Sequence, residues 1–339
     1  FLVERICGIC SSSHPYAYVL AVEDIMGGEK NVVPERALYI RTIIDELQRI
    51  HSHLLWLGLA GHFIGYNTVW MWAWRYREPV LEVFERVTGN RNHYAMSKVG
   101  GVRRDILDAD VPAINKALDE LSVAVDMFKG AVMDDPVIHA RLKGVGVLTK
   151  EQAIDWCVVG HTARASGINI DVRRDDPYGA YDRVTWNVIM EKDGDVLAKT
   201  VVRILELYES ISIIRQCLNK MPKGPIDADI KDVPPGEGIG HVEAPRGECF
   251  HYVRSDGTNR PVRHKIRAPS YMNVASNKQA AVGQTISDTA ITLAAVDPCY
   301  CCTERVAVIE KAADKKIMNG WDLIKLSQEK TARLKTGVG

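Results

Sequence analysis

Two pairs of cysteines, far apart in the sequence, constrain the fold of this chain more than any other feature. The first pair, Cys7 and Cys10, lies in RICGIC, and the second, Cys299 and Cys302, lies in DPCYCC. The short turn of a Cys-x-x-Cys pair lets both sulfurs face one point, so two pairs can offer four thiolates to one metal. A structural zinc site usually spaces its pairs about 12 to 20 residues apart, whereas Cys299 follows Cys10 by 289 positions.

This separation favours a catalytic metal in the middle of a large fold over a metal that staples a small module. On spacing alone, zinc, an iron-sulfur cluster and two unrelated pairs remain open alternatives. The neighbouring residues favour a tuned metal centre, because Gly8 permits a tight turn and Pro298 fixes the approach to Cys299. Charged or hydrogen-bonding side chains that could surround the sulfurs are Arg5, His14, Asp297 and Arg305. Taken alone, His14 has a second interpretation as a helix-cap histidine.

The composition is that of an ordinary globular protein. The 339 residues are 46% hydrophobic and carry no formal net charge, which argues against a general nucleic-acid or acidic-membrane binder. We expect no signal peptide, and the longest apolar stretch, HLLWLGLAGHFIG, is shorter than the roughly 18 residues of a membrane span. Eight cysteines are too few for a disulfide scaffold, which favours a reducing compartment. Cys157 and Cys217 are interpreted as small core residues within helices.

Helical patterns dominate the chain. After Pro34, apolar residues at steps of three to four from Ile40 to Leu57 predict a long helix. Two further helices are predicted in VPAINKALDELSVAVDMFKGAVM and VVRILELYESISIIRQCLNKM. Thr149 and Gln152 form a capping box before a helix in AIDWCVVG.

Strand signals are confined to one late region. ECFHYV and PVRHKIRAP, joined by the turn residues RSDGTN, predict a β-hairpin. GEGIG at 236–240 lacks the strand-turn-helix setting of a dinucleotide site. The expected fold class is mainly α with a small β-hairpin element in the C-terminal third, within a single domain over residues 1–339. Because the chain starts at Phe1 almost directly on a dense motif, we expect an N-terminal portion of this domain to be missing.

The two cysteine motifs resemble those of nickel-iron hydrogenase large subunits. RICGICSSSH and DPCYCCTER fit the family patterns R-x-C-G-x-C-x-x-x-H and D-P-C-x-x-C-x-x-H/R. The segments GGVRRDI, RASGINIDVRRDDPYGAYD, ESISIIRQCLNKMPKGP and RSDGTNRPVRHKIRAPS resemble the related quinone-module subunit of complex I. Hydrogenase cysteines in a complex-I-like chain are typical of membrane-bound, energy-converting hydrogenases of the Ech type. The resemblance covers essentially the whole chain and implies a hydrogenase large-subunit fold.

This resemblance implies that Cys7, Cys10, Cys299 and Cys302 bind nickel. Cys10 and Cys302 would also bridge to an iron that carries carbon monoxide and cyanide, while Cys7 and Cys299 would bind nickel alone. A proton released from hydrogen would pass to a terminal thiolate, for which Cys299 is the candidate. Cys301 falls outside the register of the motif and is interpreted as a bystander.

The resemblance also implies three residues around the metals. Arg246 would hang over them, where a guanidinium can donate hydrogen bonds to the cyanide ligands and polarise hydrogen. Ser270 would face a cyanide, and Asp297 would anchor the arginine. The plain alternative for Arg246 is a surface charge on the hairpin. The basic run from 260 to 267 is interpreted as a subunit interface or a solvated strand edge and not as a nucleic-acid site.

Two features depart from the family pattern. Arg305 stands where many hydrogenase large subunits have histidine, and 34 residues follow it. The retained tail is typical of energy-converting types and weakens the case for a histidine-held magnesium. The glutamate usually credited with proton transfer lies in a segment N-terminal to RICGIC, so no glutamate, including Glu4, is assigned that role.

The implied activity is reversible reduction of protons to hydrogen with electrons from ferredoxin. The expected partners are a small iron-sulfur subunit, a ferredoxin-like electron-transfer subunit and integral membrane subunits that translocate ions. The expected location is the cytoplasmic face of the cell membrane. One alternative is a metal-free complex-I-like subunit that shapes a quinone cavity, and another is a scaffold with structural zinc. The cysteine pairs argue against the quinone alternative, because such subunits lack them.

Overall fold

The computed structural model describes residues 1–303, 308–309, 315–316 and 320–336. It divides into a large unit, Phe1–Cys302, and a small unit, Thr303–Gly339. Helices account for most of the described chain, as the sequence predicts. The helices are α1 (Ser13–Ile25), α2 (Glu29–Val32), α3 (Glu35–Phe63), α4 (Asn67–Thr88), α5 (Val111–Asp134), α6 (Pro136–Leu142), α7 (Lys150–Asp155), α8 (Gly160–Ala165), α9 (Val172–Asp175), α10 (Val196–Lys220), α11 (Pro269–Ala281), α12 (Ile286–Ala295), α13 (Tyr300–Thr303) and α14 (Gly320–Thr336), with 3₁₀ turns at Val3–Ile6 and Tyr181–Arg183.

The described strands form three small antiparallel sheets. They are β1 (Ser97–Lys98), β2 (Gly101–Val102), β3 (Gly236–Ala244), β4 (Gly247–Ser255), β5 (Arg263–Arg267), β6 (Val308–Ile309) and β7 (Lys315–Lys316). β1 pairs with β2, β6 pairs with β7, and the largest sheet has the order β3-β4-β5. The small unit contains β6, β7 and α14, and the helix α14 is largely exposed.

Helix α3 forms the centre of the large unit. Its predicted apolar stripe is confirmed, since Ile40, Ile50 and Leu54 are fully buried, and the helix packs against α4 and α10. Nearly every polar residue along it is buried too, Arg41 and Arg49 among them. A helix buried on all sides must pair its polar groups internally, and α3 therefore carries several of the ion pairs of the core.

The predicted hairpin is confirmed as β4 and β5, with Phe250 opposite Arg267. The sequence prediction missed β3, which lies partly in GEGIG and pairs with β4 along its whole length. Its glycines allow α1 to lie directly on the sheet. A Cβ at Gly238 would be 2.0 Å from the carbonyl oxygen of Ala21, and one at Gly240 would be 2.2 Å from that of Ala17. This contact places the N-terminus of α1 beside β4.

The region around Cys157 differs from the prediction. The capping box of Thr149 and Gln152 is present, but α7 already ends at Asp155. Cys157 is exposed and has a left-handed backbone conformation with φ of 50°. The interpretation of Cys157 as a core residue of a helix is therefore wrong, whereas Cys217 is buried within α10 as predicted.

None of the helices within the described residues is both long enough and apolar enough to span a bilayer. The long helix α3 illustrates the reason, because ionisable side chains occur along its whole length.

Candidate metal centre

The structure brings the two cysteine pairs together. The Sγ atoms of Cys7 and Cys299 lie 3.4 Å apart, and those of Cys299 and Cys302 lie 2.8 Å apart. Cys7, Cys10 and Cys299 are buried, and Cys302 is partly buried. The sulfurs of Cys7, Cys299 and Cys302 form a group whose members lie within 4.8 Å of one another. Residues separated by most of the sequence therefore share one site.

Local backbone contacts hold each pair in place. The loop between the first 3₁₀ turn and α1 wraps around Cys7, whose Sγ accepts hydrogen bonds from the N–H groups of Ile9 and Cys10 at 3.4 and 3.0 Å. The second pair begins after α12. Its Cys299 N–H donates to Ser270 Oγ at 3.1 Å, and Cys302 N–H donates to the Cys299 carbonyl at 3.2 Å. Ser270 is thus a backbone support for the second pair in this structure.

Arg246 lies at the turn between β3 and β4 and points into the cysteine site. Its Nη1 donates to Cys10 Sγ at 3.4 Å and to Ser52 Oγ at 3.2 Å. Its Nη2 and Nε donate to the Oδ1 and the carbonyl of Asp297 at 2.7 and 2.8 Å. The alternative of a surface charge on the hairpin is wrong, because Arg246 is only 3% exposed.

The four sulfurs compete with one another for ionisation. Hydrogen bonds from Cys10, Cys299 and Cys302 hold the pKa of Cys7 far below its usual range. The hydrogen bond to Cys7 and burial raise the pKa of Cys10, and the contacts with Cys299 and Cys7 raise that of Cys302. The pKa of Cys299 rises to about 11, since the hydrogen bond to Cys302 lowers it less than the contact with Cys7 and burial raise it. One thiolate therefore suppresses ionisation of the others, and a bound metal would relieve this competition.

Arg246 stays charged in this site. Burial alone would lower its pKa, but the charges of Asp297, Cys10 and Cys7 hold it well above its usual value. The guanidinium is consequently a fixed positive charge beside the sulfurs. Asp297 is held in the left-handed region with φ of 54°, a conformation that aspartate tolerates better than most residues.

His14 lies beside the second cysteine pair at the N-terminal end of α1. Its Nε2 is 3.6 Å from Cys302 Sγ. Its Nδ1 is 3.0 Å from His251 Nε2 and 3.3 Å from Cys249 Sγ, both on β4. Burial lowers the pKa of His14 to about 4, so the ring is neutral near pH 7. It is an internal side chain with partners on both nitrogens.

The sequence analysis did not predict several residues of the candidate site. Ser52 contacts Arg246, and Gln48, one turn earlier on α3, accepts hydrogen bonds from the N–H groups of Ser12 and Ser13 next to the first pair. The available signal was the row of polar residues at helical spacing within an otherwise apolar helix. Cys249 and His251 had a similar signal, because alternate residues of a strand share one face.

Several other candidates lie away from the sulfurs or outside the described residues. Arg5 is half exposed and pairs with the buried Glu4. Cys301 is exposed, whereas Cys299 is buried and Cys302 is partly buried. Arg305 lies outside the described residues. The basic run falls partly on β5, an edge strand whose Lys265 is exposed.

Comparisons with known proteins give two matching family models. The model described as "Respiratory-chain NADH dehydrogenase, 49 Kd subunit" matches residues 64–233 and 228–305. The model described as "Nickel-dependent hydrogenase" matches residues 1–59. The membrane-bound hydrogenase subunit alpha of Pyrococcus furiosus is 42% identical, and the alignment covers all of this chain and 82% of that protein. The chain belongs to the family of nickel-iron hydrogenase large subunits and complex I 49 kDa subunits.

Members of this family with different activities resemble the chain. NADH-quinone oxidoreductase subunit 4 of Thermus thermophilus is 37% identical, with 85% of this chain and 76% of that protein covered. A solved structure of the membrane-bound sulfane sulfur reductase, an archaeal respiratory membrane complex, has a TM-score of 0.84. It is 34% identical and covers 90% of this chain and 84% of its own. The predicted family and the predicted large-subunit fold are confirmed.

Proposed function

We propose that this chain is the catalytic subunit of a membrane-bound nickel-iron hydrogenase that forms hydrogen from protons with electrons from ferredoxin. The observation that carries this proposal is the meeting of four cysteines from distant parts of the chain beneath a buried arginine. A structural zinc site needs no charged arginine at its sulfurs, whereas a site that handles hydrogen benefits from one. The match of residues 1–59 to the nickel-dependent hydrogenase model supports the same assignment.

Cys7, Cys10, Cys299 and Cys302 would hold the nickel, and Cys10 and Cys302 would also hold the iron with its carbon monoxide and cyanide ligands. Thiolates suit soft and borderline metals, and the mutual suppression of ionisation among these thiols fits a dication. When bound, this centre supplies the Lewis-acid and redox chemistry by which hydrogen is split or formed.

The residues of the chain have distinct proposed roles around that centre. Arg246 presents a permanent positive charge and hydrogen-bond donors to the open side of the cysteine site, held in position by Asp297. Cys299 would take up the proton on its sulfur. Ser270 Oγ accepts the Cys299 N–H, and its hydroxyl hydrogen would be free to donate to a cyanide ligand. His14 orients Cys302 from the other side.

Electrons must reach this site from a partner. Neither Cys157 nor Cys217 belongs to a group of three metal-ligating side chains in the described part of the chain. A small iron-sulfur subunit is the proposed neighbour, supplied by a ferredoxin-like subunit. Named relatives of the chain belong to membrane complexes, which supports a peripheral subunit of such a complex. We further propose that it lies on the cytoplasmic face, alongside membrane subunits that move ions.

A second candidate function is a metal-free subunit that shapes a quinone cavity. The match of residues 64–305 to the 49 kDa subunit model favours it, and the second cysteine pair lies within that segment. A subunit without a metal has no use for four converging thiols, however, and this difference favours the hydrogenase. A structural zinc scaffold remains the third candidate.

Infrared spectroscopy of the purified complex, with nickel, iron and zinc counted in the same sample, tests the three candidates together. Carbonyl and cyanide stretching bands with one nickel per chain are expected. If the carbonyl and cyanide bands are absent and zinc is present, the chain is a scaffold with a structural zinc site. If neither bands nor any metal are found, even after expression with added nickel and the maturation proteins of a hydrogenase producer, the hydrogenase and the zinc scaffold are both excluded and the quinone-cavity candidate is left.

A further inference from the structure

A second group of metal-ligating side chains lies next to the cysteine site and shares no ligand with it. We propose that His14, Cys249 and His251 form a separate binding site for zinc or a similar divalent transition metal. These three residues, called the His-Cys-His cluster below, hold their donor atoms within 4.8 Å of one another. All three side chains are buried.

Local structure explains why the three residues meet. Cys249 and His251 are two residues apart on β4, so both face the same side of the sheet. That side is covered by α1, which begins beside the first cysteine pair and contributes His14. The glycine contacts of β3 bring α1 close to the sheet and therefore bring His14 within reach of both strand residues.

Hydrogen bonding alone does not satisfy the cluster. His14 Nδ1 lies 3.0 Å from His251 Nε2 and 3.3 Å from Cys249 Sγ. An imidazole nitrogen has either one lone pair or one proton. If Nδ1 accepts, the Cys249 thiol and the His251 N–H compete for one lone pair. If Nδ1 donates to His251, the thiol hydrogen loses this acceptor. A cation that takes one lone pair from each of the three atoms removes the conflict.

The two separations from His14 Nδ1 are close to those between ligands of one coordinated ion, and the third pair, His251 and Cys249, lies within 4.8 Å. Zinc binds nitrogen at about 2.0–2.1 Å and sulfur at about 2.3 Å in tetrahedral geometry, which places two ligating nitrogens about 3.3 Å apart and nitrogen and sulfur about 3.6 Å apart. The observed separations of 3.0 and 3.3 Å are each about 0.3 Å shorter. A small outward shift of the side chains would therefore admit the ion, and a fourth position would stay open to water or another ligand.

The outer nitrogens of both histidines already have partners. His251 Nδ1 is 2.8 Å from His264 Nε2, and His14 Nε2 is 3.6 Å from Cys302 Sγ. Metal-binding histidines almost always use the second ring nitrogen in this way, which fixes the tautomer and the ring orientation. One thiolate and two neutral imidazoles form a donor set suited to zinc. The ion would leave a net positive charge beside the thiolate of Cys302.

The test compares two buried cysteines in the full chain. Cys249→Ala and Cys217→Ala each remove a buried thiol, but only the first removes a proposed ligand. Wild-type protein and Cys217→Ala are expected to bind one zinc in addition to any metal at the four cysteines, and zinc-edge X-ray absorption should show one sulfur and two nitrogens. Cys249→Ala should lose that zinc, with circular dichroism matching the Cys217 variant. Cobalt substitution provides a second readout, because a thiolate-to-cobalt absorption band should disappear only in Cys249→Ala.

A milder variant keeps the test decisive if Cys249→Ala does not fold. His264→Ala leaves all three ligands in place and removes the partner of His251, together with a ring contact to Tyr18. We expect cobalt affinity to fall about 10- to 100-fold. Equal zinc counts in Cys249→Ala and Cys217→Ala, a zinc coordinated by four sulfurs alone, or unchanged cobalt affinity in His264→Ala would each overturn the proposal. The result does not depend on hydrogenase activity, because nickel is counted separately at the four cysteines.

Discussion

Asp297→Asn is the sharpest test of how the charged arginine is held at the metal centre. The change keeps the size and shape of the side chain, and asparagine tolerates the left-handed backbone at this position as well as aspartate does. It removes only the negative charge that faces Arg246, whose Nη2 lies 2.7 Å from Oδ1. Both side chains are less than a tenth exposed. Breaking a buried ion pair costs about 3–5 kcal/mol, and because the amide oxygen still accepts a hydrogen bond we expect about 3 kcal/mol.

The chain contains a matched control for this prediction. Arg215 Nη2 and Asp119 Oδ1 are joined by almost the same contact, 2.6 Å, but the two side chains are 41% and 74% exposed. Asp119→Asn should therefore cost less than about 1 kcal/mol. The assay is equilibrium urea denaturation of both variants and wild type. The free energies of unfolding are compared with one shared m-value, the slope of that free energy against urea concentration. An equal decrease in the free energy of unfolding for Asp297→Asn and Asp119→Asn would refute the claim that burial strengthens the ion pair of Arg246 and Asp297.

Three further predictions concern other parts of the chain. Gly160→Ala should cost about 1–3 kcal/mol more than Gly144→Ala in urea denaturation, because both glycines have φ near 70° but only the Cβ at Gly160 would meet the facing strand, at 2.4 Å. His241 has its pKa raised by hydrogen bonds to two carboxylates. The protonated ring therefore stabilises the fold fully below the ordinary histidine pKa of 6.5, and this stabilisation is lost as pH rises through the raised pKa. Urea denaturation across this pH range should show that the free energy of unfolding depends less on pH in His241→Gln than in wild type. Cys299→Ser should abolish hydrogen turnover and leave the complex assembled by gel filtration, whereas Cys301→Ser should keep wild-type turnover; retained activity in the Cys299 variant would contradict the ligand assignment.

The long helices could be predicted because their signal is local. The apolar spacing from Ile40 to Leu57 predicts α3 directly, and the capping box at Thr149 marks the start of α7. The end of α7 could not be read in the same way. After α7 the backbone adopts a left-handed conformation at Cys157, and no glycine at that position signals the change. A residue that the sequence pattern assigns to a helix core is therefore exposed.

The strand β3 shows a different limit of sequence analysis. Gly236, Gly238 and Gly240 give the segment low strand propensity, and their role becomes visible only when α1 lies against them. The residues of the candidate site also fall into two groups, those that a sequence motif identifies and those that it does not. The cysteines and Arg246 could be proposed from their motifs, whereas Ser52 and Cys249 have no motif and reach the site only because α3 and the sheet pack around it.

The 292 positions between Cys7 and Cys299, whose sulfurs lie 3.4 Å apart, have a consequence for biosynthesis. At about 5–20 residues per second, a ribosome needs roughly 15–60 s to make the second pair after the first. A nascent chain therefore carries one cysteine pair long before its counterpart exists. The four sulfurs can come together only after Cys302 has been made, so a metal that needs all four ligands cannot bind earlier. A chain truncated before Cys299 could not form the site.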